Sequence, residues 1–261
     1  LKDIYIAPHL IGNSHSHFEQ IALGNVPNIK HIYKFGRNPS VGTSEEIIWD
    51  GGNGYIFPAN AVACEAVSSS ALDNEASTGA HQVEVSGLDD NFCEISEIIT
   101  LNGTTPVALT NLYRRIYRAS VIDGGIANNI SGSNVGNITI RQTVTQTPLA
   151  IILTGNAQTC MSVYTVPDCY TALVWAVTAS VGEGKSVLIR VKTRNAENLY
   201  SSFSTKAIRD LYQSSIIQRY TIPLVLPPRT DIIMTAINLK AGDVDVSSTF
   251  EMELIKTSTH G

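Results

Sequence analysis

Residues 94–103 read Glu-Ile-Ser-Glu-Ile-Ile-Thr-Leu-Asn-Gly, and they point to a β protein. Apolar and polar side chains alternate locally, the period at which successive side chains of an extended chain point to opposite faces. Asn102-Gly103 then asks for positive backbone dihedrals, the chemistry of a tight hairpin turn. The expectation is a strand, a reversal and a returning partner strand.

The same pattern repeats on both sides. In the first half the strand candidates are residues 61–68, 81–85, 94–101, 111–122 and 137–145, separated by turn tokens such as Ser77-Thr78-Gly79 and Asp123-Gly124-Gly125. Tyr113, Tyr117, Val121 and Ile122 favour a strand over a helical turn in 111–122. The second half offers 150–154, 159–166, 171–180, 186–193, 206–211, 216–226, 231–238 and 246–255. Eight short strands are the count of a jelly-roll sandwich. No window of a dozen residues shows an apolar helical stripe with caps at both ends. The expected class is therefore all-β, a jelly-roll-like β-sandwich architecture with two β domains behind an extended N-terminal arm. The expected division is 1–54 for arm and connector, 55–148 for the first β domain and 149–261 for the jelly-roll-like sandwich. The boundary between halves is expected within 143–158, and one continuous sandwich with an elaborated N-terminal region is the alternative.

Residues 1–30 carry polar turns, with Gly12-Asn13 and Gly24-Asn25, and no long apolar face, which suits an arm that packs on a partner. The next stretch, 31–55, reads HIYKFGRNPSVGTSEEIIWDGGNGY. Its glycines permit tight turns and its aromatics supply large apolar surfaces. Tyr33, Phe35, Arg37, Trp49, Asp50 and Tyr55 are the expected subunit-contact residues. Removing residues 1–46 is accordingly expected to leave both sandwiches folded and to weaken attachment to a particle.

At 261 residues the chain can bury a sizeable core without metal or disulfide staples. Hydrophobic residues make up 43% and charged residues only 16%, a low charge that fits a surface covered by neighbours. The start, LKDIYIAPHL, lacks the basic and apolar regions of a signal peptide, and no apolar run is long enough to span a bilayer. The expectation is a soluble chain without an export signal and with no membrane partner. Net charge is −5, unevenly spread: residues 1–110 hold 4 basic and 13 acidic side chains, net −9, and residues 111–261 hold 14 and 10, net +4. The halves attract each other within one chain, or the acidic half of one subunit meets the basic half of the next, in which case assembly weakens with salt. The overall acidity argues against direct contact with nucleic acid.

Catalytic and metal motifs do not hold together. Cys64, Cys93, Cys160 and Cys169 lack zinc-site pairing and read as ordinary thiols. Val181-Gly182-Glu183-Gly184-Lys185-Ser186 imitates the end of a phosphate-binding loop, but a strand pattern follows where a helix is required, so a hairpin turn is expected. His15-Ser16-His17, with His9 and His31 nearby, offers two imidazoles on one side of an extended segment without a core to fix them. The neighbours in Glu45-Glu46 and Asp89-Asp90 point to opposite faces of a strand and make no acid/base pair. Asp243-Val244-Asp245 is a weak calcium hint, and Tyr212-Gln213-Ser214-Ser215 reads as a bulge or corner. No cofactor, metal or catalytic residue is expected.

Four strings, in this order, resemble structural proteins of tailed bacteriophages of the marine and cyanophage type. They are Lys34-Phe35-Gly36-Arg37-Asn38-Pro39, Ile48-Trp49-Asp50-Gly51-Gly52, Thr100-Leu101-Asn102-Gly103-Thr104 and Met161-Ser162-Val163-Tyr164-Thr165-Val166-Pro167. The resemblance implies a virion component without enzymatic activity, assembled in the host cytoplasm. Its implied partners are further copies of itself, a trimer being one closed form, and the major capsid or other virion proteins. Exterior capsid decoration or cement is the expected role. A tail, neck or baseplate accessory, or a host-receptor or carbohydrate-binding module with Tyr55, Tyr200 and Tyr212 as candidate aromatics, is the alternative. A glycan-cleaving enzyme would need two carboxylates facing each other at about 5–10 Å.

Overall fold

A computed structural model describes residues 16–52, 54–125, 133–182, 185–198 and 200–257. Among them a short helix, α1 (His17–Ala22), precedes sixteen strands. In chain order these are β1 (Ile29–Val41), β2 (Glu46–Ile47), β3 (Val62–Ser68), β4 (Ala80–Leu88), β5 (Glu94–Thr100), β6 (Val107–Tyr113), β7 (Arg115–Gly124) and β8 (Ile138–Gln142). There follow β9 (Pro148–Ile152), β10 (Val163–Thr165), β11 (Tyr170–Val181), β12 (Ser186–Asn195), β13 (Ser204–Tyr212), β14 (Ser215–Leu226), β15 (Thr230–Asn238) and β16 (Val244–Lys256). The protein is all-β, and the strand ladders are antiparallel.

Two sandwiches result. One sets the sheet β6-β3-β8-β9 against β5-β4-β7; the other sets β1-β16-β11-β14 against β10-β15-β12-β13, with β2 also beside β15. Both β2 and β10 lie along β15, Ile47 opposite Thr235 and Val163 opposite Ile233. They are two pieces of one strand position. The chain leaves that position at Ile48, builds the first sandwich, and returns at Ser162. Numbering the eight positions of the second sandwich along the chain gives the sheets 1-8-3-6 and 2-7-4-5. Apart from β12 to β13, each of its connections passes from one sheet to the other.

The organisation expected as arm, first domain and second domain in series is therefore replaced by an insertion. Residues 29–41 are a full strand, paired with β16 from Ile29–Ile255 to Val41–Val244, with an irregularity after Asn38. Its side chains alternate between core and outer face, which glycine and proline in the string obscure in the sequence. The segment 148–152 belongs to the first sandwich, paired with β8. Of the arm, residues 1–15 lie outside the described residues.

Two hairpin expectations also change. Gly103 does take positive φ (57°), but β5 pairs with β4 and β6 pairs with β3, so the turn carries the chain between sheets. Local sequence encodes that reversal; contacts with the 68–74 loop aim it, through Ser68 N donating to Gly103 O (3.0 Å) and Gly103 N donating to Asp73 O (2.9 Å). Likewise β11 and β12, on either side of the lysine-serine string, belong to opposite sheets. Glu183 and Gly184 lie outside the described residues. Gln213, with φ of 45°, does turn the corner from β13 to β14.

The core of the second sandwich includes Ile48, Val174, Ile189, Met234, Phe250 and Met252, all buried. Strand β15 is enclosed on both sides: Ile232, Met234 and Ala236 enter that core, while Ile233 joins the core of the first sandwich with Trp49, Tyr55 and Val163. That double burial explains its nearly unbroken apolar run.

Candidate functional site

Three of the four quoted strings meet at the stem of the insertion. Ser162 N donates to Ile48 O (2.9 Å), Asp50 N to Cys160 O (2.9 Å), and Trp49 bridges to Met161. Gly36 lies against this stem so closely that a Cβ would overlap Ile48 O and Ser162 N, both backbone atoms. Only a residue without a side chain permits that approach. The Trp49 indole N–H donates to Gly52 O (2.8 Å), and its ring meets Tyr55 edge-on at 5.2 Å. The Asp50 carboxylate accepts from Cys160 N (3.1 Å), while burial raises its pKa to about 6. Tyr55 donates to Ile116 O (3.3 Å).

Trp49, Asp50 and Tyr55 are therefore buried within the chain and leave little surface for a second subunit. This corrects their expected role: the apolar area meant for a partner is covered by the chain's own inserted sandwich. Tyr33, Phe35 and Arg37 alternate onto the outer face of sheet 1-8-3-6. Tyr33 is 45% exposed, and Arg37 grips Asp245 on β16 through Nε (3.0 Å) and Nη2 (2.5 Å).

A second connection between the sandwiches is ionic. Asp231 on β15 is fully buried and accepts from Arg115 Nε (3.1 Å), Arg194 Nε (2.9 Å) and Thr165 Oγ1 (2.5 Å). Arg115 also donates to Pro58 O (2.8 Å), and both guanidiniums lie over the Phe57 ring, at 5.1 and 4.5 Å. The charges are buried but paired and stacked, the condition under which such burial is tolerated. Sequence reading missed this cluster because β7, β12 and β15 supply its members from distant positions.

The outer face of sheet 1-8-3-6 also carries α1. Ser16 caps it, accepting from Glu19 N, while the Glu19 carboxylate accepts from Ser16 N (2.5 Å), a reciprocal capping box. Phe18 projects onto Trp175, edge-on at 6.0 Å. Between helix and sheet lies a cleft of about 400 Å³ whose walls include Trp175, Tyr220, His31, Arg219, Glu251 and Glu253. An aromatic wall beside charged side chains of both signs can stack a flat apolar ring face and bond hydroxyl groups.

The remaining polar motifs have structural partners. Glu45 faces Arg190 and Lys192 (both 3.1 Å), and Glu46 accepts from Gly42 N (2.8 Å). Asp89 accepts from Cys93 N (2.8 Å) and Asp90 from Ala61 N (2.8 Å). Asp243 accepts from Ser40, and Asp245 holds Arg37. Among the described residues no group of three or more His, Cys, Asp or Glu side chains is placed to hold a metal, and no helix is long and apolar enough to cross a membrane. His9 and His15 lie outside the described residues. Tyr200 and Tyr212 are exposed, whereas Tyr55 is enclosed.

No family model matches the chain, and no curated protein matches it. Solved structures similar to it include one of the infectious bursal disease virus Gx strain, 9% identical, with 89% of this chain and 73% of that one covered and a TM-score of 0.26. The VP2 subviral particle of the same virus is 12% identical over 93% and 78%, with a TM-score of 0.18. A Bacillus thuringiensis Cry1Da tryptic core variant is 7% identical over 84% and 53%, at 0.17. Likeness at this level assigns neither a family nor an activity, which leaves function to the chain's own geometry.

Proposed function

We propose that this chain is a non-enzymatic structural component of a tailed-phage virion, seated on the capsid exterior as a decoration protein. The observation that carries the reading is the wind of the second sandwich, 1-8-3-6 against 2-7-4-5. We read it as an eight-stranded jelly roll, an architecture used by viral capsid and lectin domains. A fold alone does not fix a function. The four phage-like strings add independent support, since three of them converge on the stem that joins jelly roll and insertion. The adhesive surface in this reading is the outer face of sheet 1-8-3-6 around Tyr33 and Phe35, and the partners are further copies and the major capsid protein. Tail, neck or baseplate attachment uses the same surface on a different partner.

Light scattering of the full chain, alone and with empty phage shells, tests the reading. A closed oligomer that co-sediments with shells, and loses attachment in a Tyr33→Ala, Phe35→Ala double variant, supports it. A monomer that ignores shells and virion proteins defeats it. The cleft under α1 favours a second reading, host-glycan recognition, because Trp175 stands there beside Glu251, Glu253 and Arg219. Quenching of Trp175 fluorescence by host glycans, abolished in Trp175→Ala, would move the assignment to recognition.

A further inference from the structure

Strand β1 has a second unusual position beside Gly36. Lys34 points inward, is 3% exposed, and donates to the Tyr117 carbonyl on β7. It lies in a groove of about 440 Å³ between β1 and β7, whose lining includes Ser86, Tyr117, Arg118, Gln158 and Tyr164. Among the described residues lining the groove none is a carboxylate. Arg118, which donates to Tyr33 O (3.2 Å), adds a second positive charge. Tyr164 is 1% exposed, and its hydroxyl has no hydrogen-bond partner among the described residues. Buried polar groups are normally satisfied and buried charges normally paired. The lining of this groove has two cations and an unsatisfied phenol, and its described residues include no carboxylate.

We propose that the groove between β1 and β7 binds a small ligand carrying an oxyanion, either a carboxylate or a phosphate. The anion meets the Lys34 ammonium and the Arg118 guanidinium and accepts from the Tyr164 hydroxyl. The remainder of the ligand, about the size of a monosaccharide, lies against Tyr117 and Gln158. Tyr33 and Phe35 of the adhesive face also border the groove, but the anion contacts are made by Lys34, Arg118 and Tyr164, so the proposal does not depend on the assembly reading.

Burial, with Arg118 adding repulsion, lowers the Lys34 pKa to about 7. The other groups near it are His31 on the same strand, the phenols of Tyr117 and Tyr164, and Cys160, whose thiol is pushed up to about 12; behind them Glu94 and Glu84 act on the two phenols and Asp50 on the thiol. An anion favours protonated Lys34, so affinity falls as pH rises through 7, by about tenfold at pH 8.

Isothermal titration of the full chain at pH 6 and low salt uses glucuronate as the carboxylate probe, glucose 6-phosphate as the phosphate probe and glucose as the neutral control. The expected result is binding of at least one acid and none of glucose. Lys34→Met, nearly the same shape without charge, weakens binding at least tenfold, and Tyr164→Phe weakens it several-fold. No heat from either acid at millimolar concentration overturns the proposal, as does equal binding of glucose or undiminished binding by Lys34→Met. If Lys34→Met does not fold, Tyr164→Phe and Arg118→Gln decide, and parental affinity in both overturns it.

Discussion

The seam between the sandwiches and the outer face of sheet 1-8-3-6 are built from the same strand, yet they obey opposite rules. At the seam, β1 presents Gly36 to the stem, and nearby Asp231 is held by two arginines and a threonine. Along the same strand the inward positions Ile32, Lys34 and Gly36 alternate with Tyr33, Phe35 and Arg37, which look away from the core on the outer face. One face is fixed by close approach and paired charge; the other is available. A six-residue string can therefore carry a packing requirement and an outward-looking face at once, and only strand alternation separates them.

The broadest test of this contrast is truncation. Deleting residues 1–46 removes β1 and leaves one edge of β16 unpaired, so the variant is expected to aggregate or to lack cooperative unfolding by circular dichroism. Deleting residues 1–28 spares β1 and is expected to keep the fold. This reverses the outcome expected of a detachable arm. Next in size, Asp231→Ala leaves Arg115 and Arg194 without their shared anion and is expected to cost about 3–5 kcal/mol in denaturant unfolding.

The titration of Lys34 sharpens the same contrast. In the folded chain it releases its proton near 7, against an ordinary value of 10.5. Between those values the unfolded chain holds more protons, so stability rises with pH, by a few kcal/mol in total. Lys34→Met is expected to remove that rise in melts taken from pH 7 to 10. Asp50 acts in the other direction: folded, it holds its proton up to about 6, against 3.8 unfolded, so its contribution is present below 3.8 and is lost as pH rises through 6. Asp50→Asn flattens that fall.

Gly36→Ala forces a methyl against backbone on both sides of the stem and is expected to cost about 1–3 kcal/mol in chemical denaturation. The smallest effect belongs to the outer face. Arg37→Ala breaks an exposed ion pair and is expected to change stability by less than about 1 kcal/mol, so any larger effect on shell attachment would be an interface effect.

Much of the strand content was legible. Alternation in residues 94–101 and the turn chemistry around them mark strands that the structure also contains, because pleat period and turn dihedrals are local properties. Residues 111–122 show the limit: the chain breaks at Arg114 between β6 and β7, where Arg115 turns inward to reach Asp231, a partner 116 positions away. The α1 cleft and the Lys34 groove were illegible for the same reason. Their residues are common types scattered over the chain, and only packing brings them together.

By itself, then, the sequence determined an all-β chain, several of its reversals, and the need for glycine and aromatic residues around residues 31–55. Tertiary structure alone decided which sheet each strand joins, that the first sandwich is an insertion at Ile48 and Ser162, and that Trp49 and Tyr55 face inward. The physical reason is range. A strand's alternation is set by its own backbone, whereas its neighbours, its buried face and its charge partners are set by where distant segments find apolar area and counter-charge.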